Sequence, residues 1–227
     1  MNACFAVLGL SCIIAASGGA QTIAVSNLNQ PTVQSLRAGV SNTLVYAQGF
    51  SFTTGATTTI LTRLTFSFAS SGPGAEGFSA NLYSGFSVDT GPTGYVCALF
   101  GPSAPQTAGT YSYSPSTSLT LNSNSIYWIG VSEYSATATV PFFLNATSSF
   151  DEDPATLAGW NIGNTRFEGV MNDGGRWNEY SGLIPQISLE VAAIPEPSSV
   201  ALGTGCAVFC ALVVARMIFP TNARRTK

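Results

Sequence analysis

Apolar and polar residues alternate through most of the middle of the chain. Leu64, Phe66 and Phe68 fall on one side of an extended segment, with Arg63, Thr65 and Ser67 on the other. Ile187, Leu189 and Val191 alternate in the same way with Gln186, Ser188 and Glu190. A period of two carried by aromatic and β-branched side chains predicts half-buried antiparallel strands. Further segments of this kind are 22–28, 43–53, 77–83, 94–100, 110–113, 118–121, 125–133 and 140–145. Turn-forming clusters separate them: Ser70-Ser71-Gly72-Pro73-Gly74, Gly91-Pro92-Thr93-Gly94 and Gly101-Pro102-Ser103. No helical period is sustained in this region. Many short strands with regular turns predict an all-β domain of two packed antiparallel sheets, a β-sandwich of jelly-roll type, with a closed barrel as the alternative.

The two ends break this pattern. Residues 4–16 form an apolar run, followed by the small residues Ser17-Gly18-Gly19-Ala20. That order predicts a signal peptide over 1–20, although no Lys or Arg precedes the run, and a mature chain beginning at Gln21. At the other end three unlike pieces follow one another in 194–227. Residues 194–199 read Ile-Pro-Glu-Pro-Ser-Ser, 200–219 are apolar except for Arg216, and 220–227 carry Arg224, Arg225 and Lys227. Pro195 and Pro197 lack backbone donors and push their neighbours toward extended conformations, so a preceding strand cannot run on into the apolar stretch. Twenty residues of helix reach about 30 Å, one hydrocarbon thickness, if the Arg216 guanidinium snorkels to the interface. The cations that follow would orient the C-terminus to the cytoplasm and the domain of 21–193 outside.

Pro195-Glu196-Pro197, an apolar span of this length and a terminal Arg cluster together resemble the PEP-CTERM sorting signal of bacterial envelope proteins. The resemblance covers 194–225 and implies recognition at Pro195, Glu196 and Pro197 by an exosortase-like membrane enzyme, which processes its substrates near that motif. A second similarity spans roughly 22–192. Ala47-Gln48-Gly49-Phe50-Ser51-Phe52-Thr53-Thr54-Gly55, then Asn81-Leu82-Tyr83-Ser84, then Leu119-Thr120-Leu121 and Ser125-Ile126-Tyr127-Trp128-Ile129 are similar to the choice-of-anchor R domain. Domains of that kind precede interchangeable anchors on exported proteins, and the resemblance implies placement and architecture but no activity.

Charge and chemistry narrow the function further. Residues 21–193 hold ten acidic residues against four arginines (Arg37, Arg63, Arg166 and Arg176), a net charge of −6, and no lysine. Such a surface cannot neutralise a phosphate backbone, which argues against nucleic acid as a partner. The chain has no histidine, so Ser-His-Asp and Cys-His machinery and imidazole metal ligands are absent. Of five cysteines only Cys97 falls within 21–193, so this region forms no internal disulfide. A hydrolase would need a carboxylate pair brought together from separate strands. Asp151, Glu152 and Asp153 form the only acidic cluster; it reads first as a solvated turn and, less favourably, as a calcium site completed by Asn145 or Asp173. Trp160, Arg176, Trp177 and Tyr180 lie in the least regular stretch, 150–182. They are candidates for stacking and hydrogen-bonding a sugar, against the simpler reading that the tryptophans close one end of the domain.

These readings predict an exported, non-enzymatic cell-envelope or extracellular-matrix protein without a cofactor. A single C-terminal helix would anchor it in the membrane, with the domain outside, until an exosortase-like partner releases it to the cell surface or matrix. The alternative is a carbohydrate-binding, lectin-like module associated with extracellular polysaccharide.

Overall fold

A computed structural model of the protein describes residues 20–41, 44–133, 139–149, 151–170 and 177–194. Residues Ala20–Ala193 form one compact unit. The described residues are all-β and their strands pair antiparallel; no helix occurs among them. In chain order the strands are β1 (Gln21–Ser26), β2 (Gln34–Ser41), β3 (Leu44–Thr53), β4 (Thr59–Phe68), β5 (Phe78–Ser87), β6 (Gly91–Phe100) and β7 (Gly109–Pro115). There follow β8 (Leu119–Leu121), β9 (Ile126–Glu133), β10 (Phe142–Thr147), β11 (Asn161–Val170), β12 (Trp177–Ser181), β13 (Ile184–Pro185) and β14 (Ile187–Ala193).

The pairing corrects the expectation of two separate sheets. Eight strands follow one another in a closed ring, β4-β7-β6-β5-β9-β3-β2-β10, and Leu144 on β10 pairs with Phe68 to return to β4. Two strands turn the corners. The first half of β2 pairs with β10 and its end pairs with β3; β7 pairs with β4 over Gly109–Tyr113 and then with β6 through Ser114 and Pro115. A strand that changes partner midway carries hydrogen bonding around an edge that a sandwich would leave open, and so removes it. Outside the ring, β14 and β1 extend from β4, and β11 and β12 extend from β3.

The ring closes around an aromatic core. Phe50 and Phe52 on β3, Phe66 and Phe68 on β4, Tyr113 on β7 and Phe142 on β10 are all fully buried, with Leu61, Leu64, Leu82, Leu121, Ile129 and Leu144 between them. Phe66 meets Phe50, Phe68, Phe78 and Tyr113 edge-on, with ring centroids 5.5 to 6.3 Å apart. That is the geometry the ring quadrupoles favour. β4 also shows why its first half escapes the alternation seen in sequence. Leu61 and Leu64 are both buried although three residues apart, because a bulge opposite Glu190 and Val191 shifts the register between them.

A second correction concerns Gly91-Pro92-Thr93-Gly94, which lies inside β6 and not in a turn. Pro92 and Gly91 pair with Phe86 and Ser87 at the far end of the β5–β6 hairpin. Gly91 and Gly94 sit at φ +79° and +64°, a backbone that lets the tip curl over the neighbouring face of the sheet. The irregular stretch expected over 150–182 likewise contains two strands, β11 and β12.

Candidate functional site

The segments expected to carry export and sorting lie outside the described residues: 1–19, the motif Pro195, Glu196 and Pro197, and the cations Arg216, Arg224, Arg225 and Lys227. Among the described residues no helix is long and apolar enough to cross a membrane.

The two tryptophans proposed for sugar stacking are packed, and they sit apart. Trp160 is 6% exposed and stacks on Phe52 at 6.2 Å, at one end of the main core. Trp177 is 8% exposed and belongs to a separate aromatic cluster on the outer face of β3, β9 and β11, with Phe86, Trp128 and Phe167. Phe86 stacks on Trp128 at 4.6 Å and lies tilted against Phe167 at 4.2 Å. Glycines make this cluster possible: a Cβ on Gly169 would lie 2.7 Å from Trp177 Cε2, so the indole lies flat where a side chain would stand. Tyr180 is exposed on β12 and carries the Arg166 guanidinium 4.4 Å from its ring centroid. Arg176 lies outside the described residues.

The three clustered acids diverge. Asp153 is buried; its Oδ2 accepts from Ser26 Oγ at 2.6 Å and from the Asn29 amide at 3.3 Å. Glu152 Oε1 accepts from Asn161 Nδ2 and the Ile162 amide, and Asp151 is exposed beside Ser149. Among the described residues no three metal-ligating side chains come together; Asn145 donates instead to Ser67 Oγ, and Asp173 lies outside them. What the cluster does is fasten a loop. The Asp153 amide donates to Ser26 O, the Leu157 amide donates to Ala24 O at 2.8 Å, and Thr156 Oγ1 accepts from the Ser26 amide, so residues 153–157 cover the outer edge of β1.

A polar network absent from the sequence reading spans the seam where β2 leaves β10 for β3. Arg166 on β11 is 6% exposed and donates to Gln48 Oε1 at 2.9 Å. Gln48 Nε2 donates to Arg37 O and to Glu168 Oε2, and Glu168 lies 3.6 Å from Arg166 Nη1. Desolvation lowers the Arg166 pKa, and Glu168 and Tyr180 oppose that shift. A hollow of about 380 Å³ opens over this seam, with Arg37, Arg166 and Glu168 in its wall. Arg37 stacks 3.7 Å over the Tyr46 ring.

A smaller slot of about 150 Å³ lies under the curled tip of the β5–β6 hairpin. Gly49 on β3, Gly130 on β9 and Asn81 on β5 are directly paired across the sheet, which places them on one face. Gly130, Ala47 and Ser132 floor the slot; Tyr83, Pro92, Thr90 and Trp177 rise around it, and Asn81 lies at its side. A Cβ on Gly130 would stand 2.9 Å from the Tyr83 ring and 3.4 Å from Pro92, so glycine here keeps the floor low. Ser132 Oγ is 3.2 Å from Ser79 Oγ. Burial, and after it the neighbouring Tyr95, raises the Tyr83 hydroxyl pKa.

No protein-family model matches the chain, and no curated protein matches it.

Proposed function

We propose that this is an exported, non-enzymatic cell-surface or extracellular-matrix protein. A signal peptide over 1–20 would carry it out, and a PEP-CTERM-like signal over 194–227, comprising the motif, a transmembrane helix over 200–219 and a basic cytoplasmic tail, would sort it. The observation that carries the reading is the boundary of the folded unit. Gln21 at the start of β1 pairs with Ala192 at the end of β14, and the unit ends at Ala193, two residues before Pro195-Glu196-Pro197. Both flanking segments therefore join the domain at neighbouring points at one end of the β1–β14 pair, and either can be removed without cutting a strand. The acidic, lysine-free composition of 21–193 suits a surface that stays soluble outside the cell. An exosortase-like enzyme is the partner this reading requires, and a choice-of-anchor-like role for the domain follows from the same placement.

Cell fractionation of the wild type and of a variant with Pro195, Glu196 and Pro197 replaced by alanine tests the proposal. The wild type is expected in the surface or medium fraction and the variant in the membrane fraction. Identical distribution of the two would refute the sorting step. A second reading, a carbohydrate-binding module, is favoured by the slot beneath the β5–β6 tip, whose walls combine aromatic rings with an amide and hydroxyls.

A further inference from the structure

We infer that the slot under the β5–β6 hairpin tip binds a single neutral sugar ring of an extracellular polysaccharide, with Tyr83 and Trp177 as its apolar walls and Asn81, Ser132 and Thr90 as its hydrogen-bonding groups. The inference deepens the carbohydrate-binding reading and rests on it.

Size sets the first limit. The slot holds about 150 Å³ and is open to solvent on one side, below the roughly 300–1,000 Å³ of sites that enclose a whole drug-sized ligand. It takes one ring-sized unit of a chain and leaves the neighbouring units in solvent. Chemistry sets the second. A sugar ring has apolar C–H faces and a rim of hydroxyls, and this slot offers both complements. Tyr83 and Trp177 present aromatic surface. The Asn81 amide donates and accepts, and the Ser132 and Thr90 hydroxyls can do either; Ser132 keeps hydrogen-bonding capacity beyond its contact with Ser79. A purely apolar occupant such as an acyl chain would leave those polar groups without partners, at a cost that disfavours it.

Charge sets the third limit. None of the side chains around the slot is ionised at neutral pH, and the region 21–193 has a net charge of −6, so a polyanion is repelled on approach and finds no cation on arrival. The slot is also built on a rigid support. Its floor is paired backbone of β3, β9 and β5, and Trp177 is held by the aromatic cluster with Phe86. Such a site pays little ordering entropy when the ligand docks.

Affinity electrophoresis of the detergent-solubilised full chain tests this, in gels containing a β-1,3-glucan, a galactomannan, a xylan or dextran, with alginate as the acidic control. At least one neutral polymer should retard the wild type and shift its tryptophan emission. Asn81→Ala should weaken retardation roughly tenfold, the loss of an interaction near 1.4 kcal/mol, with an unchanged thermal unfolding curve. Gly130→Val, which raises the floor into the Tyr83 ring, should abolish retardation. Retardation by no neutral polymer, by alginate alone, or equally for wild type and Asn81→Ala would each overturn the inference. A chain that is sorted to the surface but binds no neutral polymer overturns the slot alone; one that binds but is never exported overturns the export reading alone.

Discussion

Tyr113→Phe should reverse its effect on stability between neutral and alkaline pH. Tyr113 is 1% exposed, its ring packs against Phe66 and Phe78, and its hydroxyl donates to Pro102 O at 2.8 Å. Phenylalanine keeps the ring contacts and loses that one hydrogen bond, so at neutral pH the variant should be less stable by about 1 kcal/mol. Burial, and after it the neighbouring Tyr111, raises the Tyr113 pKa in the folded state well above the usual phenol range. Below about pH 10 both folded and unfolded chains keep the proton and the wild type has its full stability. Above that the unfolded chain releases it and the folded chain does not, so the wild type loses about 1.4 kcal/mol for each further pH unit. The variant has no such slope at this position, and the two stability curves should cross just below about pH 11. The comparison is clean because the two proteins differ at this one position, and residues 21–193 contain no lysine or histidine. Urea unfolding followed by far-ultraviolet circular dichroism, from about pH 8 to about pH 11.5, measures the difference. A difference that stays constant across that range would refute the buried, proton-retaining hydroxyl.

Three further outcomes follow from packing. Phe66→Ala removes a ring with four aromatic neighbours and should cost about 3–5 kcal/mol in urea unfolding; a loss under about 1 kcal/mol would mean that this core is loosely packed. Asp153→Ala takes the acceptor from Ser26 Oγ and should cost about 1.5–3 kcal/mol, with faster hydrogen exchange at the Leu157 amide than at β9 amides. Uniform acceleration across all amides would show that the loop is no separate latch. Gly169→Ala places a methyl against the Trp177 indole; it should destabilise by about 1–3 kcal/mol and move tryptophan emission to longer wavelength, and an unshifted spectrum would contradict the stacked geometry.

Strands with two unlike faces were legible in the sequence. The second half of β4 and most of β14 alternate because Leu64, Phe66, Phe68, Ile187, Leu189 and Val191 all turn into the core, although Ser188 on the other side of β14 is itself buried. β2 was not legible: in Gln34–Ser41 only Leu36 and Ala38 among the apolar side chains are described as buried, too weak a signal to register as a period. β11 was missed for the opposite reason. Its inward positions include Arg166 and Glu168, each hydrogen-bonded to Gln48 from β3, so a polar network takes the place of the expected apolar row. Asp153 shows the same limit at the scale of one residue: an acid beside two other acids and a proline reads as solvated, and only its contacts with Ser26 and Asn29 show otherwise. Ring closure depends on two strands changing partners midway, a choice made by long-range pairing that local periodicity does not encode. The slot gathers Asn81, Tyr83, Gly130, Ser132 and Trp177 from three strands, and no stretch of sequence contains it.

How the chain is exported and processed can be read from the intact mass of the protein recovered from its producing cells. The expected species begins at Gln21 and has lost the residues beyond the Pro195-Glu196-Pro197 region, while the variant with all three replaced by alanine keeps its C-terminus through Lys227. A wild-type mass that still includes Arg224, Arg225 and Lys227 would contradict processing at the motif and make the C-terminal segment an ordinary anchor.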